Sequence, residues 1–325
     1  MKRREFIKTS ALSALSLSTM GFCRSGSTGN PGFSTVVISK EDKMINSELS
    51  IDSSYLAKAL DKAVQYLYNT DYPVTAWKNI VKPGEVIGLK VNCLSKRGIT
   101  HIELVRAIIE RLKEAGVKEN DIIIWDRLNM DLDDAGYQIN TSKNGIRCFG
   151  NDVTGFEYDL EVFGSAGSRL SKILTQICDG IINIPVLKDH SIAGITSALK
   201  NMFGSIHNPN KYHLNTGNPY IADVNAFPSI RKKIRLHICD AIEIQYHGGP
   251  SFMPQWRTNY GGLIVSKDPV ALDTIGLDII ESKRKEFGFG KLSAENRAPL
   301  YIRTASDVNH QLGISDKKSI KVSII

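Results

Sequence analysis

Apolar residues recur along this chain in two alternating rhythms. Over residues 53–69, Leu56, Ala59, Leu60, Ala63, Val64 and Leu67 fall three or four apart, which predicts a helix with one buried face. After the Pro83-Gly84 turn the pattern tightens. Val86, Ile87, Leu89 and Val91 form an apolar run of strand length over 85–92. Thr100-His101-Ile102-Glu103 has the form of a capping box, with Thr100 as N-cap, opening a helix that runs to Ala115 and stops at Gly116. Asp121 to Asp126 holds three consecutive isoleucines and predicts a second buried strand. A strand, a helix and a strand joined by short links imply a right-handed parallel crossover.

The same rhythms continue. Turns at Asn144-Gly145 and Gly150-Asn151 bracket a short strand at Ile146 to Phe149, and Ser168 is placed to cap a helix through Ile177. Ile181 to Leu187 is another apolar run, which breaks into a polar corner at Lys188-Asp189-His190 before helical spacing resumes and ends near Gly204. Ala222 to Lys233 reads as a helix split by Pro228. Ile234 to Asp240 and Gly262 to Ser266 read as strands. Asp268-Pro269 supplies an N-cap and an N1 proline for a helix over 270–287. A last helix is expected at 299–312 and a closing strand at 320–325. The fold class is α/β: a mostly parallel sheet with helices on both faces, built from 51–325 as one domain or as two lobes near 51–165 and 166–325. Residues 25–50, rich in Ser, Gly and Thr, read as a linker or irregular lead-in, and Asp131, Asp133 and Asp134 as a solvated loop.

Composition changes this picture at one end. Arg3-Arg4-Glu5-Phe6-Ile7-Lys8, followed by a mildly apolar stretch too short and Ser-rich to span a bilayer, has the layout of a twin-arginine export signal over 1–24. The expected route is the twin-arginine translocase, and the expected destination the periplasm or cell surface. Cys23 stands where a lipid anchor is attached, but Phe22 is bulky where a small residue is wanted. Five basic residues against one acid in 1–24 account for +4 of the net +7, leaving +3 for the rest. With no basic run interleaved with aromatics, nucleic acid is not an expected partner. Cys93, Cys148, Cys178 and Cys239 are widely spaced and form no C-x-x-C, which argues against an iron–sulfur or zinc-ribbon motif and for buried small apolar side chains.

Polar residues gather where the apolar runs end: Lys90 and Asn92, Asp126, Lys188 and His190, Asp240. A charged residue inside an apolar strand is paired or faces a ligand. Lys90 and Lys188 stand in equivalent places on two strands, which suits a carboxylate or phosphate. His190 is the candidate proton carrier, its charge changing near neutral pH. Thr196, Lys200 and Asn201 follow on the same segment as candidate binding and catalytic groups. His207, His213 and Asp240 offer the donor types of a divalent-metal site. No Walker, dinucleotide or nucleophile-elbow motif is present.

The set Ile87-Gly88-Leu89-Lys90-Val91-Asn92, Leu187-Lys188-Asp189-His190, Thr196 to Gly204 with Leu199-Lys200-Asn201 at its centre, and Ser266 to Asp273 resembles the domain of unknown function family 362 over roughly residues 80–312. Some members of that family carry a ferredoxin module, whose cysteines this chain lacks. His190, Gly194 and Lys200 are also spaced like a motif of the nickel-pincer lactate racemases. That likeness implies a proton-shuttling role for His190 and an anchoring role for Lys200 toward a nicotinic-acid-derived nucleotide, although Ser197-Ala198 stands where the motif has paired glycines. Two functional readings result: an exported enzyme moving a proton on a small anion, or a non-catalytic binder of an anionic metabolite or cofactor at the same edge.

Overall fold

A computed structural model describes residues 32–45 and 50–325; the export-signal and Cys23 expectations lie outside the described residues. Its centre is a run of short strands with no exposed residue: β2 (Ile87–Lys90), β3 (Ile122–Trp125) and β7 (Gly180–Asn183). Parallel strands covered on both faces read as continuous apolar runs, and these do. Their side chains alternate between two cores. Ile122, Ile124 and Ile182 join one core with Leu56 and Leu60 of α1 (Ser53–Tyr68) and Leu104 and Ile108 of α2 (Ile102–Glu114). Ile123, Trp125 and Ile181 join the other, with residues of α4 (Pro269–Glu286) and of the helix Tyr220–Asn225. The label α3 is given to Ala198–Asn201.

The remaining strands are β1 (Ser34–Lys40), β4 (Arg147–Cys148), the separate β5 (Glu161–Phe163) and β6 (Ala166–Ser168) pair, β8 (Val186–His190), β9 (Gly194–Thr196), β10 (Ile234–Gln245), β11 (Arg257–Ser266) and β12 (Ile320–Ile324). The main sheet runs β12-β1-β11-β10-β7-β2-β3-β4, with β8 and β9 attached at β10. Along that path β11 alone is antiparallel to its neighbours among the described residues. From β2 the chain winds outward through β3 to β4, then returns to place β7 on the other side of β2. The order therefore reverses between β2 and β7, and crevices outside the carboxyl ends of strands at such a reversal are where open α/β sheets hold ligands.

Several expectations change. The stretch 25–50 contains β1, which pairs with β11 and with the edge strand β12. β7 pairs directly with β2, so the two lobes considered share one sheet within a single compact unit, Phe33–Ile325. Lys188-Asp189-His190 is the end of strand β8, and the residues after it form a hairpin partner with Lys188 opposite Thr196 and His190 opposite Gly194. Pairing of the β-branched Ile195 and Thr196 wins over the helical spacing there, so the helical run begins only at α3 and continues as a 3-10 turn over Met202–Ser205, ending near Gly204 as expected. Ser168 ends β6 rather than capping a helix, residues 129–134 are helical with Asp131 buried, and the last helix is only Tyr301–Ala305. Thr100 does not cap α2. Its hydroxyl donates to the Ile184 carbonyl at 2.8 Å and accepts from the Asn92 amide at 2.9 Å, tying the ends of β2 and β7 together. His101 takes the cap position instead.

His101 also explains Asp240. The Asp240 carboxylate accepts from the His101 backbone amide at 2.8 Å and lies 2.7 Å from His101 Nδ1, with Glu243 beyond Nε2. Burial alone lowers the imidazole pKa, but Asp240 and Glu243 more than offset it and raise it to about 10. The folded value lies above the unfolded one. The stabilisation is therefore complete below pH about 6.5 and is lost as pH rises through about 10. Urea unfolding of His101→Gln beside the parent across that window is expected to show the two converging at the alkaline end; a constant difference would refute the pairing.

Candidate functional site

A cleft of about 480 Å³ opens at the carboxyl end of β2, beside the point where the strand order reverses. It brings together Lys90, Asn92, Lys188, His190, Thr196, Lys200 and Asn201, which are spread over 112 positions of sequence, and adds Ser95, Asp126, Arg127, Phe203 and His213. His207 does not line it; its ring packs edge-on against Phe156. Asp240 is occupied by His101. Among the described residues no group of three metal-ligating side chains is assembled, so His207, His213 and Asp240 do not form the expected metal site.

The base of the cleft is an amide network. The Asn201 side chain donates to Asn183 Oδ1 at 2.7 Å and to the Lys90 carbonyl at 3.3 Å, and accepts from Asn92 Nδ2 at 2.9 Å. One residue of α3 thus holds the ends of β2 and β7 in register. Asn183 was legible by the argument applied to Lys90, a polar residue inside an apolar run. The α3 segment is itself fixed by buried Asp273, which accepts from the Ala198 and Leu199 amides at 2.7 and 3.1 Å; burial pushes its pKa up to about 7. Gly204 closes the floor: a Cβ there would sit 2.6 Å from Lys90 Cε and 2.9 Å from Asp126 Oδ1.

The three lysines differ in what holds them. Lys90 is neutralised, donating to Asp126 Oδ1 and the Val91 carbonyl, both at 2.7 Å. Lys188 meets only neutral acceptors, Ser95 Oγ at 2.9 Å and the Gly98 carbonyl at 3.1 Å, and burial lowers its pKa to about 8. Lys200 Nζ has no hydrogen-bond or ionic partner among the described residues. It lies 4.3 Å from the centroid of the Phe203 ring, and burial together with Lys188 and Lys90 lowers its pKa to about 7.

The two imidazoles have complementary tautomers. His190 Nδ1 accepts the backbone amides of Ile192 and Ala193 at 3.2 and 3.1 Å, so the ring proton sits on Nε2. Burial, then Lys200 and His213, drive its pKa down to about 2. His190 is therefore a neutral N–H donor, and the role expected of it as a proton carrier does not suit this geometry. His213, stacked on it at 5.8 Å, points Nδ1 at the Asn210 carbonyl at 3.2 Å and keeps its Nε2 lone pair free. Among the described residues the one carboxylate lining the cleft, Asp126, has both oxygens engaged, Oδ1 by Lys90 and the Arg127 amide and Oδ2 by the Cys93 amide, so it is not an open ligand for a cation. Cys93, Cys148, Cys178 and Cys239 are free and buried.

Together these features define an α/β protein with a cationic cleft at its sheet reversal. The chain belongs to the family described as Domain of unknown function (DUF362), whose model matches residues 87–278. It is 28% identical over 252 residues to a "thylakoid-associated protein" of Synechocystis sp., an alignment covering 70% of this chain and 76% of that one. A crystal structure of a Thermotoga maritima protein superposes with a TM-score of 0.43 at 10% identity, covering 72% of this chain; the match spans 59% of that protein's length. Among the described residues no helix is long and apolar enough to cross a membrane.

Proposed function

We propose that the cleft binds a small organic anion, a carboxylate or phosphate, and moves a proton on it. One observation carries this reading: two amines, buried Lys188 and half-buried Lys200, face one cleft without a carboxylate partner among the described residues. Placing ammonium groups out of water without counter-charge is unfavourable, and an anion between them relieves that cost. Lys188 and the His190 Nε2–H are the donors that orient it. The Lys200 amine and His213 Nε2 are the proton acceptors, each held below its usual pKa by burial. Asn92 Oδ1, a buried acceptor with no donor among the described residues, supplies a place for a substrate hydroxyl.

Calorimetric titration with oxalate and with inorganic phosphate tests the binding. Saturable binding is expected for at least one, with proton uptake near pH 8, because the bound anion raises the depressed pKa values of Lys200 and Lys188. No saturable binding of either anion, or binding with no pH dependence between about 7 and about 9, would reject the reading. The non-catalytic alternative draws support from His190, whose lone pair is committed to the backbone. Solvent deuterium entering the carbon next to the carboxylate of bound 2-hydroxy or 2-oxo acids separates enzyme from binder.

A further inference from the structure

Among the described residues three amines line the cleft, and one of them has no acceptor to donate to. Lys90 and Lys188 each spend their protons on two acceptors, whereas Lys200 Nζ meets the face of Phe203. An ammonium requires acceptors; a neutral amine requires only space for its lone pair. Lys90, Lys188 and Arg127 place positive charge around the same cavity, and its one carboxylate, Asp126, is committed. A lysine in low-polarity surroundings beside other cations is the setting in which an amine becomes a nucleophile toward carbonyl carbon. His190 presents an N–H and His213 a lone pair on the same wall, with His213 packed against the Phe203 ring that carries Lys200.

We propose that Lys200 forms an imine with a small oxo acid whose carboxylate lies on Lys188. This rests on the anion-binding reading above and narrows it to a substrate class. The Nζ lone pair attacks the carbonyl carbon, a C–N bond forms, and the C=O π pair moves to oxygen, where the His190 Nε2–H donates to it. His213 Nε2 takes one amine proton and passes it to that oxygen, giving the carbinolamine. The second amine proton follows the same path, the oxygen leaves as water, and the nitrogen pair closes the C=N bond. Both hydrogens of the amine end on the departing water, and nothing is oxidised or reduced. Lys188 is the poorer candidate for this bond because its protons already have acceptors in Ser95 and Gly98.

Glyoxylate with sodium cyanoborohydride tests it, the reductant fixing any imine as a stable amine that peptide mass spectrometry locates. Labelling of the full chain is expected at Lys200 at least about tenfold faster than at the surface lysines, in line with a pKa near 7 instead of 10.5. It should be absent at that position in Lys200→Arg, whose guanidinium has no free amine to form the imine, and slowed in Lys188→Met; circular dichroism and melting confirm that each variant folds. Labels scattered over surface lysines without preference for Lys200 would overturn the proposal, as would native protein already carrying a covalent group there. Glyoxylate titration without reductant separates the two claims. Saturable binding with no adduct removes the imine and leaves the anion site, whereas neither binding nor adduct removes both.

Discussion

Asp126→Ala is expected to destabilise the fold by about 3–5 kcal/mol, the usual consequence of stripping one partner from a buried ion pair. The side chains of Lys90 and Asp126 are 1% and 7% exposed, and their charged atoms stand 2.7 Å apart. Removing the carboxylate leaves the ammonium with the Val91 carbonyl as its one remaining acceptor. It also strips the Cys93 and Arg127 amides of theirs. On the Gly204 side there is no room even for a Cβ beside the Lys90 Cε and Nζ. With total stabilities of about 5–15 kcal/mol, the variant sits close to unfolding. Urea denaturation measures the loss, and the double variant Lys90→Met/Asp126→Leu should recover a large part of it because no uncompensated charge remains. A single-variant loss below about 1 kcal/mol would show that the pair does not hold the cleft together.

Lys200→Met is expected to act in the opposite direction on stability. The amine there has no counter-ion among the described residues, so folding is opposed by the work of keeping it charged or of removing its proton. Its folded pKa, about 7, lies below the unfolded 10.5, so the penalty is complete below pH about 7 and fades as pH rises toward 10.5. Methionine fills the space without a charge. The melting temperature should therefore rise at neutral pH, and the gain should vanish near pH 10.5. Anion affinity in the same variant should fall by roughly 10- to 150-fold, the effect of losing one charge-assisted hydrogen bond. Stability gained where binding is lost is the mark of a residue kept for function. A variant that both melts lower and binds equally well would assign Lys200 to structure.

The element pattern was legible because it rests on local chemistry. The three isoleucines of β3, the face of α1, the Asp268-Pro269 start of α4 and the break at Pro228 each follow from residues within one or two turns of each other. Lys90, Lys188, Lys200 and Asn201 stood out for a similar reason, as polar groups at the ends of apolar runs. What misled was chemistry with a remote partner. Thr100 resembled a cap, yet its hydroxyl is taken by Ile184, 84 residues away. Asp240 resembled a ligand but is the counter-charge to His101, 139 residues away.

Sequence alone determined the α/β class, the strands that make the centre of the sheet, and the set of polar residues that gather at its carboxyl edge, since hydrophobic periodicity and turn residues act over a few positions. The tertiary structure decided which amine is neutralised, which donates to neutral oxygens and which is left bare. It also decided which nitrogen of His190 and of His213 carries the proton. Those properties depend on the distance to groups brought near only by folding, and both desolvation and Coulomb attraction follow that distance rather than separation along the chain.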